Sequence, residues 1–410
     1  MTATPLWRQL FDAVERRVAA SAEGVVASDR FADTVTTATR ATAPATRLIP
    51  TGLAPDPGRA VAWVGGQIDR ALHRTRNGVK VLTGFDEPEL ATTPREVVWE
   101  CDRARLYRYH SAQRRHPTPV VLTMSLVSTP KVFDLRPNAS FVAYLLQAGF
   151  DIYLLDWGIA DHRDAGNHLD TYVDHYLPGA VDAISGLTGA EQADVVGFCF
   201  GGVLALLYAA SQPERVRRLT VMAAPVDWSH IGPLAAMTRH GRLEPEELFD
   251  HTGNVPAETI KNGFTMLQPT AKITGYASLL QHLDNDAFVE QFRAVGTWVD
   301  EHVPFPGACF ADLTRALVRD NTLVSGATPV AERSVDLADI TSPLLCLVAD
   351  KDHICPPAAA TPVVDLVSSD TTRVVRVPAG HIGLIISRTA SKITLPALVD
   401  WLTSEPQGAS

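Results

Sequence analysis

Ala193-Asp194-Val195-Val196-Gly197-Phe198-Cys199-Phe200-Gly201-Gly202, followed at once by Val203-Leu204-Ala205-Leu206-Leu207-Tyr208, is a branched apolar strand, a tight glycine-flanked turn and an apolar helix. The turn sets Cys199 at the summit of the strand, immediately before the helix N-terminus. Glycines at 197 and 201 suit a crowded, strained turn, where a Cβ would collide with the neighbouring strand or helix. Unpaired N–H groups and the dipole at the helix start favour negative charge on the thiol. The N–H of Phe200 is then the first candidate donor to an oxyanion. Taken alone, the same turn also suits an inert, packed cysteine, so its meaning depends on partners elsewhere in the chain.

Two partners follow. After the apolar strand Leu344 to Val348 comes Ala349-Asp350-Lys351-Asp352-His353-Ile354-Cys355-Pro356-Pro357, and after Val374 to Val377 comes Ala379-Gly380-His381-Ile382-Gly383. The chain order is therefore nucleophile, acid, histidine, each at the C-terminal end of a strand, which is the order of the α/β-hydrolase fold. In that arrangement His381 draws the thiol proton, and an aspartate holds its other ring nitrogen and offsets the imidazolium charge. Asp350 and Asp352 both qualify as that aspartate, and periodicity does not separate them. Cys346 and Cys355 read as packing residues.

Working outward, Val120 to Thr123, Ile152 to Leu155, Val195 to Gly197, Leu219 to Ala223, Leu344 to Val348 and Val374 to Val377 have the length and branching of buried parallel strands. Stretches of helical length such as Asn138 to Ala148 and Leu169 to Gly186 lie between the first of them. The expectation is an α/β class protein with a doubly wound, mainly parallel sheet. Residues 229–341 interrupt the rhythm with a mostly helical insertion between the fourth parallel strand and the acid-bearing one. It carries Phe264, Leu279, Leu280, Phe292, Trp298 and Phe310, read here as the apolar lining of a cap. The core is expected over 94–228 and 342–405. Residues 1–93 form an extension: an amphipathic helix over 6–20, a Pro/Ala/Thr-rich linker over 34–59 and a second helix over about 60–75. The helix over 6–20 is either packed on the body or a docking surface.

Composition narrows the function. The net charge of -10, with no dense Lys/Arg cluster, argues against a nucleic-acid partner. Five scattered cysteines without a CxxC pair fit neither a disulfide scaffold nor a structural zinc site, and suit a reducing cytoplasm. His230, His240, His282 and His302 lack ligand spacing, so no metal is expected. The first 20 residues lack the apolar core of a signal peptide. No apolar run reaches the roughly 18 residues needed to span a bilayer.

At these motifs the chain resembles the polyhydroxyalkanoate synthases, cysteine enzymes that polymerise hydroxyacyl-CoA. The resemblance rests on the box Gly197 to Gly202, on Asp151-Ile152-Tyr153-Leu154-Leu155-Asp156-Trp157-Gly158, on Ala224-Pro225-Val226-Asp227-Trp228, on Asp352-His353-Ile354-Cys355-Pro356-Pro357 and on Gly380-His381-Ile382-Gly383. It covers about residues 94–403 and is closest to the short catalytic subunits that work with a separate partner subunit. The resemblance favours Asp352 over Asp350 as the acid. It implies 3-hydroxyacyl-CoA as substrate, an acyl-Cys199 intermediate and no cofactor, CoA being part of the substrate. It also implies a second synthase subunit or a homodimer as partner, and a place in the cytoplasm at the surface of polyester granules.

The loop after Val120 to Thr123 departs from the family. An Asn-Arg pair is common there, whereas this chain reads Leu126-Val127-Ser128-Thr129-Pro130-Lys131-Val132-Phe133-Asp134-Leu135. Leu126 or Val127 is the candidate for the second oxyanion N–H. Trp157 and His353 are candidate substrate contacts, the plainer reading of His353 being a loop histidine. Two other functions share these features: a thioesterase or intracellular polyester depolymerase with water as acceptor, and a noncatalytic granule-binding subunit.

Overall fold

The computed structural model describes residues 57–83, 87–232, 244–267 and 271–404. The pattern over 6–20, most of the linker and His240 lie outside the described residues. The chain divides into two compact units, one of residues up to Glu87 with Ala277–Gln291, the other of Pro88–Tyr276 with Phe292–Ser410.

In the first unit, helix α1 (Pro57–Thr83) runs eight residues past the expected end at about 75. Asn77, buried on it, donates to the Leu283 carbonyl and to the Asp286 carboxylate, each at 2.7 Å. Arg76 and His73 reach the same carboxylate. These bonds, that of Asn77 foremost, hold Asp286 well below the usual carboxylate range.

In the second unit the eight-stranded sheet has the order β1-β2-β4-β3-β5-β6-β9-β10. Its strands are β1 (Glu96–Cys101), β2 (Ala104–Tyr109), β3 (Val120–Thr123), β4 (Ile152–Asp156), β5 (Ala193–Phe198), β6 (Val216–Met222), β9 (Leu344–Ala349) and β10 (Thr372–Val377); β7 (Thr328–Val330) and β8 (Arg333–Val335) make a separate hairpin. β2 is antiparallel to both neighbours, and every other pairing in the large sheet is parallel. This is the α/β-hydrolase architecture. From β3 the chain steps to β4 on one side and returns to β5 on the other. The loops leaving the C-terminal ends of β3 and β5 therefore diverge, and such a switch point is where a doubly wound sheet opens a crevice.

β3, β5 and β9 are buried at every residue, as apolar strands covered on both faces must be. The connecting helices on the core are α2 (Phe141–Gln147), α3 (Leu177–Thr188) and α4 (Phe200–Ser211). α4 is apolar all round and buried everywhere except Ser211. One strand differs from its expected setting: β10 pairs in parallel with β9 but ends the sheet, and only Val377 on it is fully buried. An outermost strand has no neighbour on its far side. Arg373 and Arg376 on it, ion-paired to Asp400 and Asp350, put charge where edge-to-edge pairing would otherwise start.

The stretch between β6 and β9 is mostly helical, with α5 (Ala257–Leu267), α6 (Ala271–Gln281), α7 (Asp286–Asp300) and α8 (Gly307–Asp312) before the β7–β8 hairpin; α9 (Leu395–Thr403) follows β10. Of the six residues expected to line a cap, Leu279 and Trp298 are buried, while Phe264, Phe292 and Phe310 are partly buried. Leu280 differs: it is 66% exposed and contributes no such lining. Adjacent positions on a helix are about 100° apart, so burying Leu279 turns Leu280 away from the same surface. Among the described residues no helix is long and apolar enough to cross a membrane.

Candidate active site

Cys199 stands between β5 and α4 with φ 56° and ψ -129°, a backbone conformation that non-glycine residues avoid. Two bonds hold it there: its N–H donates to the Met222 carbonyl on β6, and its carbonyl accepts from the Gly202 N–H, both at 2.9 Å. The close approach of the turn to the β3 loop requires glycine at 201, where a Cβ would lie 2.5 Å from the Met124 carbonyl carbon and oxygen. Phe200 opens α4, so its N–H has no partner within the helix.

The ends of β9 and β10 bring Asp352 and His381 together. His381 Nδ1 lies 2.7 Å from Asp352 Oδ2, and an ionised carboxylate only accepts, so the ring carries its proton on Nδ1. Asp352 Oδ1 accepts the Ile354 and Cys355 N–H groups, each at 2.8 Å. The carboxylate is thus fully engaged, and its side chain is wholly buried. On its other side the ring lies next to Cys199. Burial pulls the imidazole pKa down, but the Cys199 charge and proximity and the bond to Asp352 outweigh it and hold the ring at about 10. Phe198 packs against the imidazole, with ring centroids 4.8 Å apart.

This geometry separates the two aspartates. Asp350 is exposed and pairs with Arg376 at 2.8 Å, whereas the carboxylate within hydrogen-bond distance of His381 is that of Asp352. The neighbouring thiols also differ from Cys199. Cys346 and Cys355 are buried; burial pushes Cys346 up to about 12, and burial with the Asp352 and Cys199 charges holds Cys355 well above the usual thiol range. Both remain neutral thiols. His353 is exposed beside the acid. His230 and His282 are exposed and His302 is partly buried. Among the described residues no three His, Cys, Asp or Glu side chains converge as a metal site requires.

The loop after β3 closes the other side of the crevice. Among the described residues neither the Leu126 nor the Val127 N–H has a hydrogen-bond partner, while the carbonyls around them are engaged. Trp157 Nε1 donates to the Met124 carbonyl at 2.7 Å, the Val303 N–H to the Val127 carbonyl at 3.1 Å, and Trp298 Nε1 to the Thr129 carbonyl at 2.8 Å. The polar atom of Trp157 is therefore engaged with backbone, and its ring sits edge-on to Tyr172 at 5.3 Å. Residues 298–305 form a strap that the motif reading missed. His302 bridges to Ser128, Phe305 exchanges both backbone bonds with Val255 at 2.9 Å, and the Phe305 ring lies 5.8 Å from that of Phe200. A bulky Trp-Val-Asp-Glu-His-Val-Pro-Phe run in a helical region was the only available signal. Asn321 was missed too: its side chain bonds the Trp228 N–H and the Asp227 carboxylate at 2.9 Å each, fastening the insertion to the Ala224 to Trp228 turn.

The arrangement can present a thiol, a proton acceptor and two sources of backbone N–H to one carbonyl carbon, the parts required for acyl transfer. Residues 130–245 match the family described as alpha/beta hydrolase fold. The chain is 32% identical over 326 residues to the poly(3-hydroxyalkanoate) polymerase subunit PhaC of Haloferax mediterranei, across 78% of this chain and 66% of that one. It is 30% identical over 330 residues to the same subunit of Allochromatium vinosum, across 79% and 92%, and 31% identical over 355 residues to that of a Synechocystis species, across 82% and 93%. The chain thus spans about two thirds of the Haloferax relative and nearly all of the other two. It is an enzyme chain of the α/β-hydrolase fold and belongs to the poly(3-hydroxyalkanoate) polymerase PhaC family.

Proposed function

We propose that the chain polymerises 3-hydroxyacyl-CoA into polyester, with Cys199 as the nucleophile, His381 as the proton carrier and Asp352 as the acid that orients it. The observation that carries this reading is a cysteine, where hydrolases of this fold place serine, beside a histidine that is itself 2.7 Å from a buried carboxylate. The Cys199 thiolate attacks the thioester carbonyl carbon, and the carbonyl oxygen becomes an oxyanion facing the N–H of Phe200 and that of Leu126 or Val127. Collapse breaks the bond to CoA, whose thiolate takes the proton from the imidazolium. The 3-hydroxyl of another hydroxyacyl unit then attacks acyl-Cys199, giving its proton to His381 as the ester bond forms and the Cys199 thiolate leaves. One thioester replaces another in the first step, so little energy is lost before the chain grows. CoA enters as part of the substrate and the scheme uses no cofactor.

The product is insoluble in water, so growth carries the enzyme to the surface of a cytoplasmic granule. A second synthase subunit or a second copy of the chain completes the assembly. Incubation with 3-hydroxybutyryl-CoA, in a lysate that supplies the partner, should release CoA in step with insoluble polyester and leave little free 3-hydroxybutyrate. A saturated acyl-CoA lacking the hydroxyl should acylate the protein once and stall. Sustained release of free acid from both substrates would overturn the polymerase reading in favour of a thioesterase or depolymerase using the same residues.

A further inference from the structure

The N–H groups of Leu126 and Val127 belong to two peptide planes, and each flanking plane is anchored. The plane joining Met124 to Ser125 is held by the Trp157 indole at the Met124 carbonyl, and the plane joining Val127 to Ser128 by the Val303 N–H. Peptide planes are rigid, so only the φ and ψ angles of residues 125 to 127 remain to set where the two donors point. The second anchor is backbone, and two side chains of the same strap keep it in register. Trp298 Nε1 donates to the Thr129 carbonyl, and Glu301 accepts from Thr129 Oγ1 at 3.2 Å and from Lys131 Nζ at 2.8 Å. Trp157 is itself braced by Tyr172 and Tyr176, and Trp298 is 4% exposed, so neither indole swings freely.

We infer that Trp157 and Trp298 are positioning residues of the acylation step. Their indole N–H groups hold, from opposite ends, the loop whose Leu126 or Val127 N–H receives the oxyanion. The inference rests on the function proposed above. It gives Trp157 a role behind the loop instead of contact with substrate.

The test compares two reactions of Cys199. Alkylation by iodoacetamide needs the thiolate and its histidine but no oxyanion donor, whereas single-turnover acylation by 3-hydroxybutyryl-CoA needs both. Each is followed by mass spectrometry at the Cys199 peptide, in cell lysate. Trp157→Phe and Trp298→Phe keep a ring and remove the donor. Each should lower the saturating acylation rate by about tenfold or more, with little change in half-saturating concentration and less than about a twofold change in alkylation. Glu301→Gln, at a partly exposed position, provides a variant that does not disturb the core and should give a loss of a few-fold in acylation alone. Wild-type acylation rates in both tryptophan variants and in Glu301→Gln would overturn the inference, as would acylation and alkylation falling together. Failure of the wild-type protein to acylate while Cys199 is still alkylated would instead remove the proposed function, and the positioning role with it.

Discussion

The two walls of the crevice are held by opposite means. At the ends of β5, β9 and β10, each catalytic candidate is fixed by bonds that are short in sequence or lie within the sheet. Gly202 closes on Cys199, Ile354 and Cys355 on Asp352, and the Lys351 N–H on the Ala379 carbonyl beside the histidine loop. Across the crevice, the loop after β3 has no such local support. Besides the Trp157 indole at the Met124 carbonyl, its ties come from the insertion: the Val303 N–H, and Trp298 and Glu301, the last two 169 to 172 positions away in the chain. The first wall is rigid by construction. The second takes part of its shape from the insertion, so a shift of the strap should move the Leu126 and Val127 N–H groups while leaving Cys199 and His381 in place.

The comparison predicts graded losses. Cys199→Ala and His381→Gln, on the rigid wall, should each lower turnover by at least about a thousandfold without unfolding the protein, and by similar amounts, because such groups act as a unit. CoA release and intact-protein mass measure both; a folded Cys199→Ala protein that keeps more than a few per cent of turnover would falsify the mechanism. Asp352→Asn should cost roughly a hundredfold or more, since it disturbs the ring tautomer, whereas Asp350→Asn loses only a surface ion pair and should stay within about twofold. A reversed ranking in steady-state assays would transfer the acid role by two residues.

Where the walls meet, Gly201→Ala forces a methyl to within 2.5 Å of the Met124 backbone. The expected cost is about 1–3 kcal/mol in denaturant unfolding, together with slower acylation as the loop is pushed back. Unchanged stability would mean that the loop yields freely, and the two walls would then differ in rigidity more strongly still. The last effect is in pH. His381 is held at about 10 against an ordinary value of 6.5, so its protonated form is bound more tightly in the folded state than in the unfolded chain. That contribution is fully present below about pH 6.5 and is lost as pH rises through about 10. Thermal unfolding of the wild type should lose this increment across the window, and His381→Gln should lack it. Parallel profiles for the two proteins would show that the histidine is not held in this way.

Much of the rigid wall was legible because its chemistry is local. The Gly-Phe-Cys-Phe-Gly turn, the paired aspartates and the Gly-His-Ile-Gly loop each carry their meaning within ten residues, and short branched runs between them mark the strands. Two matters at this wall were not legible. Strand periodicity did not show that β10 lies at the edge, because Val374-Val375-Arg376-Val377 reads the same with or without a neighbour. Nor did spacing separate Asp350 from Asp352, since both leave the same strand and only the approach of β10 and its loop gives Arg376 to one and His381 to the other.

By itself the sequence determined the order of the main strands and helices along the chain, the cysteine at the elbow, the aspartates and the histidine at strand ends and, through its motifs, the family. Tertiary structure alone decided how the second wall is built. No local pattern links Trp157 to Met124, Trp298 to Thr129 or Glu301 to Lys131, and Leu280 lies in the same apolar stretch as Leu279 yet faces solvent. Hydrophobic periodicity and turn chemistry act over a few residues and so can be read from one segment. A hydrogen bond between separate segments, 33 positions apart for Trp157 and Met124 and 169 to 170 for the other two pairs, exists only once both have folded, and neither segment bears a mark of the other.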